Sequence, residues 1–345
     1  MTIYNTINQY IRCIFIIYMW TTIIVFFIVL FVYIHVQHQW KTGEDIDIYE
    51  YDYTNHKGLQ DITQYKQPVL FALEMPSMRD NPKLDPLHIK DIRDYKNTNS
   101  HIESIELSNS SAQTLLNTDT KGVFYSDRNQ DSISKSPSWI QWFESMDPFL
   151  KPSFTVYKEN DVLYGSRKSR TVTTYHRESH TYLYLPPETN NSHVRVKMTP
   201  WRNKTFMNSI EDYTYYECWS NVNLFEPNDR YRTLDFMLKP RCVLYIPPYW
   251  FYSIQFQDKQ NEVCMVKYTT GANLIANMKH VGMYYLQQQN IQEKWWKPLA
   301  NTEIDILPIE PDEDDDLPMD ISQNVIKEES KTIAESLIDD LKVKI

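Results

Sequence analysis

Glycine is scarce in this chain: 6 of 345 residues, about a quarter of the ordinary ~7% usage. None of the six falls in a glycine-rich phosphate loop or a G-x-S-x-G nucleophile elbow, so chemistry built on those loops is excluded. Cysteine is sparse too. Cys13, Cys218, Cys242 and Cys264 form no C-x-x-C pair, which removes zinc-ribbon and dithiol redox motifs. Cys13 falls in an apolar segment. The other three leave two readings open, one disulfide with a free thiol or three buried thiols. There is no basic excess either. Lys and Arg number 35 against 45 acids, for a net charge of −10, and residues 301–320 alone hold nine acids with no Lys or Arg. The remainder is therefore near −1. Such a surface offers no positive field to a phosphate backbone, so nucleic acid is not an expected partner.

What the chain does have is one long apolar run. Residues 11–34 carry a single charge, Arg12. As a helix they reach about 36 Å, enough to cross a ~30 Å hydrocarbon core. No short apolar core with a small-residue cleavage site is present. The run reads as an uncleaved single-pass membrane anchor behind a short tail, residues 1–10. Counting Lys and Arg on each side, the N-terminus is expected in the cytoplasm and the bulk of the chain on the lumenal or external side. Residues 35–64, acidic and Tyr-rich past Lys41, read as a stem.

Further along, the period of the sequence changes several times. A strand is expected from Gln67 to Leu73, and a helix over LDPLHIKDIRDY (84–95). Residues 97–136 are rich in Ser, Asn, Thr and Asp. Such a segment buries too little to offset its ordering entropy, and it is read as a largely disordered insertion that a linker could replace. SWIQWFESMDPFL (138–150) is an amphipathic helix ending near Pro148. In residues 272–293 the recurrence of Leu274, Met278, Val281 and Tyr285 marks the face a helix would pack. Residues 294–320 form an acidic linker. Residues 321–345 place Ile326, Ile333, Leu337 and Leu341 on one helical face, either docked or open to a protein partner.

The chain is organised around KPRCVLYIPPYWFYSIQF, residues 239–256. Proline cannot donate to a sheet ladder, so Pro247 and Pro248 join two strand pieces through a rigid corner. Beyond it Trp250, Tyr252, Ile254 and Phe256 share one parity, the pattern of a strand with a buried face. This stretch resembles the cupin-like domains related to the JmjC oxygenases, found in algae, protists and their large DNA viruses. VLYGSRKSRTVTTYHRESHTYLYLPPE (162–188), HVRVKMTPW (193–201) and MYYLQQQN (283–290) are similar to further pieces of that family, in the same order. The resemblance covers roughly residues 65–96 and 138–293. It implies a mainly β fold, a double-stranded β-helix (jelly roll) with flanking helices over residues 65–293.

The family holds Fe(II) with two histidines and a carboxylate, leaving positions for 2-oxoglutarate and oxygen. Its first two ligands match His176 and Glu178, spaced i, i+2 and expected on one strand. Its third, a histidine, is Tyr252 here, and a phenol ligates iron only after losing a proton of pKa about 10. His180 shares the parity of His176 but lies about 13 Å along a strand; His193 opens the next strand. Arg195 and Lys197 alternate with Val194, Val196 and Met198. They would serve the distal carboxylate of 2-oxoglutarate if their parity faces inward, and form a solvated stripe if it does not. Three functions stay open: a degenerate domain binding or supporting something at a cellular or viral membrane, with no cofactor; an Fe(II)/2-oxoglutarate hydroxylase with an altered ligand set; and a lectin-like pocket lined by aromatics. The first is favoured.

Overall fold

The computed structural model describes residues 2–43, 45–73, 87–89, 91–94, 104–186, 193–257 and 261–293. The chain divides into two units, residues 1–300 and 301–345. The acidic linker and the C-terminal helix expected from sequence lie outside the described residues.

Helix α1 (Thr2–Trp40) contains the apolar run and continues past it. Its segment Ile14–Trp40, 27 residues, is long and apolar enough to cross a membrane, and none of its apolar window is buried in the protein. The residues read as a stem are instead built into the domain. Strand β1 (Tyr49–Glu50) pairs in parallel with β2 (Val69–Ala72). Between them α2 (His56–Thr63) starts at Asn55, whose side chain accepts from the Gly58 N–H at 2.7 Å, a standard way to satisfy an orphan donor.

The remaining elements follow in order. Strands β3 (Asp91–Asp94) and β4 (Ser104–Glu106) precede α3 (Asn109–Thr118), β5 (Phe124–Ser126), α4 (Gln130–Ser134) and α5 (Pro137–Leu150). Then come β6 (Thr155–Gly165), β7 (Thr173–Thr174), β8 (Ser179–Tyr184), β9 (Val194–Thr199), α6 (Lys204–Met207), β10 (Ser209–Asp212), β11 (Glu217–Ser220) and β12 (Leu234–Leu238). The strands flanking the proline corner are β13 (Cys242–Ile246) and β14 (Phe251–Phe256); β15 (Asn261–Thr270), α7 (Gly271–Ala276) and α8 (Met278–Glu293) close the unit.

Among the described residues the strands form two sheets. One runs β1-β2-β13-β8-β15-β6-β5-β3-β4, the other β10-β11-β7-β14-β9-β12. Apart from β1 with β2, neighbours are antiparallel. The proline corner therefore carries the chain from one sheet to the other. Side chains of alternating parity fill two layers. Leu163, Leu183, Met198, Leu244, Ile254 and Met265 meet in the core shared by the two sheets. Val162, Tyr182, Tyr184, Tyr245, Val266 and Tyr268 face the opposite way, against α5. That helix has Pro137 in its first turn and presents Trp139, Trp142, Phe143, Met146 and Leu150 at helical spacing. Each such side chain contributes roughly 1.5–3 kcal/mol on full burial.

Three expectations fail here. Residues 91–94, inside the helix expected over 84–95, form β3. Residues 104–136, inside the segment read as disordered, are folded, and β5 pairs with β6. Polar composition misled because these polar groups are spent on backbone. The Asp119 carboxylate accepts from four consecutive N–H groups, Lys121 to Phe124, and from Ser166 Oγ at 2.6 Å. Burial works against its charge, but these bonds outweigh it and hold the carboxyl below the usual range. Finally, α8 does not pack the face expected: Met278 and Tyr285 are 62% and 66% exposed.

Gly165 is required where β6 passes the core. A Cβ there would lie 1.9 Å from the ring of Phe256, itself fully buried. Gly165→Ala is expected to cost about 1–3 kcal/mol, as overpacking does, read as a lower midpoint in urea denaturation. An unchanged midpoint would mean that the ring has room to move.

Candidate functional site

His176 and Glu178 do not lie on a strand. They occupy the turn between β7 and β8. The corner holds this turn: Tyr249, at φ 65°, donates its N–H to the carbonyl of His176 at 2.7 Å, and its hydroxyl donates to Asn277 at 2.7 Å. His176 is thereby aimed at β14. Its Nε2 lies 3.0 Å from the hydroxyl of Tyr252. Tyr252, 3% exposed, sits between Met198 of β9 and Thr174 of β7. Both groups are neutral. Burial drives the imidazole well below its ordinary pKa, with Lys267 adding to the effect, and burial raises the phenol.

Glu178 turns elsewhere. Burial raises its carboxyl, while Arg177 and the hydroxyl of Tyr216 favour its charge. Lys267, not Glu178, is the charge that acts on the His176 ring. Among the described residues no group of three His, Cys, Asp or Glu is placed to hold a metal. The Nε2 of His176, one of the two nitrogens an imidazole could offer a metal, is hydrogen-bonded to the phenol of Tyr252. Arg177, between the two, binds Cys218 Sγ at 2.7 Å and Glu211 at 3.5 Å. Cys218, Cys242 and Cys264 are all free thiols.

Arg195 and Lys197 point away from this site. Their strand neighbours Val194, Val196 and Met198 face the shared core, so period two turns the basic pair outward. There they pair with Asp235 of β12, at 2.5 and 3.5 Å, over the ring of Phe225. His180 lies on the helix-covered side. Its Nδ1 is 2.8 Å from the hydroxyl of Tyr245 and its Nε2 3.0 Å from the Asn273 amide.

The centre of the polar interior was not singled out from sequence. Lys267 shares the parity of Val263 and Met265. It faces inward between Glu159 of β6 and Thr181 of β8 and pairs with Glu159 at 2.5 Å. Burial opposes its charge, yet Glu159 holds the ammonium protonated beyond its ordinary range. Asp161 is 1% exposed. Its Oδ1 accepts from the N–H groups of Asn129 and Val162 at 2.9 and 2.8 Å. Its Oδ2, like the Thr181 hydroxyl, has no hydrogen-bond partner among the described residues. Burial pushes this carboxyl well above its usual range, and Lys267 acts against that rise. The visible signal was a lysine inside the apolar run VCMVKY. Chemically, His176, Tyr252, Thr181 and the Lys267–Glu159 pair supply donors and acceptors to a buried polar interior.

His180 gives a pH prediction. Burial, then Lys66, lowers its pKa to about 4; unfolded, it returns to about 6.5. The unfolded state therefore binds a proton that the folded state does not. The stability involved is fully present above pH 6.5 and is lost as pH falls towards 4. His180→Gln should remove about 3 kcal/mol of that acid loss, measured by urea unfolding at pH 7 and pH 4.5. Carboxyls with raised pKa values work in the opposite direction in both proteins and cancel in the comparison. Parallel pH dependences would refute it.

No family model matches the chain, and no curated protein matches it.

Proposed function

We propose that the chain is a single-pass membrane protein carrying a cupin-like, JmjC-related double-stranded β-helix with a degenerate metal site. Its role is binding or structural at a cellular or viral membrane, with the N-terminus cytoplasmic and the domain lumenal or external. The winding supports the fold. From β6 to β9 and from β12 to β15 successive strands alternate between the sheets. The strand orders β13-β8-β15-β6 and β7-β14-β9-β12 then place two four-stranded antiparallel layers about one shared core. The observation that carries the function is the 3.0 Å bond between His176 Nε2 and the Tyr252 hydroxyl. In the resemblance these are two ligand positions; here they bond to each other, as neutral groups, and leave neither an anionic oxygen nor an open imidazole.

The test is metal content. Full-length protein purified in detergent and incubated anaerobically with Fe(II) and 2-oxoglutarate is expected to show neither stoichiometric iron nor the charge-transfer absorption of such a complex. Tyr252→His, which supplies the family's ligand type, is expected to raise iron retention. Stoichiometric iron in the wild type, abolished by Tyr252→Phe, would overturn the proposal in favour of a hydroxylase with a tyrosinate ligand.

A further inference from the structure

The end of α1 is fastened to the domain. Lys66, 6% exposed and at φ 55°, donates its ammonium to the carbonyls of His38 and Gln39, the latter at 2.9 Å. These are orphan acceptors of the helix's last turn. The carbonyl of Lys66 takes the indole N–H of Trp250 at 3.3 Å. One residue on, Trp40 donates its indole N–H to the carbonyl of Ala276 in α7 at 3.1 Å.

These bonds set a height. The apolar run ends at Ile34, and Trp40 follows six residues later, about 9 Å along the helix. Each headgroup layer is about 5–7 Å thick outside a ~30 Å hydrocarbon core. In a membrane crossed by α1, Trp40 and the α7 carbonyl bonded to it therefore sit at the outer edge of the headgroup layer.

Beside the bond from Trp40 to Ala276 the described residues expose an apolar face. Helices α7 and α8 are amphipathic in an inverted sense. Their packed face is polar: Asn273, Asn277, Gln287 and Asn290 are 1%, 2%, 8% and 6% exposed. Asn273 and Asn277 bond the carbonyls of Glu178 and Arg177. Their outer face carries Ile275 at 47% and Met278 at 62% exposure, with Tyr285 and Leu286 two turns on. The N–H of Gly271, which opens α7, bonds the carbonyl of Phe154 at 3.0 Å, about 7.5 Å along the helix from Ala276. Phe154 is 91% exposed, and Val156, 64% exposed, is beside it. Lys279 is exposed next to Met278.

We propose that Phe154, Val156, Ile275 and Met278 form a membrane-contact surface that rests on the headgroup layer of the bilayer crossed by α1. Through it the domain is seated on the membrane. The inference rests on the reading of α1 as a spanning helix. The occupant is lipid because the patch surrounds the point at which that helix joins the domain, at the depth the helix sets. A polar packed face with an apolar outer face is the arrangement a surface-lying helix uses against a bilayer, and Lys279 supplies the cation that suits lipid phosphate.

The test needs no truncation. Wild-type full-length protein is reconstituted into phosphatidylcholine/phosphatidylserine vesicles that contain two diazirine phospholipids, one labelled in the headgroup and one near the glycerol. After irradiation the lipid adducts are mapped by peptide mass spectrometry. Adducts are expected in α1 and in the peptides holding Phe154–Val156 and Ile275–Met278, and not in the peptide holding Met237, exposed on β12. In the double variant Ile275→Asp, Met278→Asp, both at exposed positions, the α7–α8 adducts should be lost while those in α1 persist. Adducts in α1 alone would overturn the seating and leave the anchor standing; a second copy of the chain or its own residues 321–345 covering the patch would give that result. No adducts in α1 would overturn the anchor itself.

Discussion

Replacing residues 104–135 by a short Gly/Ser linker is expected to abolish cooperative folding. The excised segment carries Ala112, Leu116, Val123, Tyr125 and Ile133, all buried. Tyr125 belongs to the core shared by the two sheets. Full burial of a large apolar side chain is worth roughly 1.5–3 kcal/mol, against a total stability of about 5–15 kcal/mol for a domain. The polar losses add to this. Asn129 donates to Asp161 and, through its side chain, to the carbonyl of Val162 at 2.8 Å. Asp127 pairs with Arg93, which is 2% exposed and also holds Glu217 at 2.9 Å. Without β5, strand β6 becomes an open edge. Soluble yield and a thermal unfolding curve would settle the matter; a transition close to that of the intact protein would show that the segment folds apart from the rest of the two sheets.

Lys267→Met is expected to cost about 2–4 kcal/mol, somewhat less than the roughly 3–5 kcal/mol for removing one partner of a fully buried ion pair, because Lys267 and Glu159 keep 12% and 22% of their side-chain surface exposed. The midpoint of thermal unfolding should fall by roughly 10 °C for a domain of this size. Methionine fills the same space, so the loss is electrostatic. Glu159 loses its 2.5 Å partner and Asp161 loses the cation that restrains its pKa. The pH dependence follows from Asp161. Without Lys267 its folded pKa rises further above the unfolded value of about 3.9. Between those values the folded state binds a proton that the unfolded state has released, so the variant loses stability as pH rises. The deficit relative to the wild type should therefore be larger at pH 8 than at pH 5. A deficit below about 1 kcal/mol, or one independent of pH, would mean that Lys267 reaches solvent and behaves as a surface charge.

Much of the frame was legible because it depends on local rules. The apolar run marks a helix of spanning length. Pro247 and Pro248 mark the corner, and the structure puts β13 and β14 on either side of it, in different sheets. The apolar run after Pro68 locates β2, alternation over 193–201 locates β9, and the amphipathic pattern of 138–150 locates α5. Where local rules conflicted with long-range pairing the reading failed. DIRD has no apolar alternation and became a strand because β4 and β5 lie on either side of it. Met278 and Tyr285 have the spacing of a packed face, but which face packs depends on what the rest of the chain presents. Here the β7–β8 turn presents the carbonyls of Arg177 and Glu178, and asparagines meet them.

The candidate site divides along the same line. The sequence by itself determined that a tyrosine stands at position 252, on a parity that one face buries, because strand period needs no partner. It also determined that His176 and Glu178 are two apart. Only the tertiary structure decided that these two share no strand, that the imidazole meets the phenol, and that Arg195 and Lys197 turn outward to Asp235. It alone put Lys267 of β15 among Glu159, Asp161 and Thr181, residues from two other strands. The physical reason is that period fixes only which residues of one strand share a face. Which face is inside, and which side chains from distant strands meet there, follow from sheet register, and register is set by the packing of the two sheets.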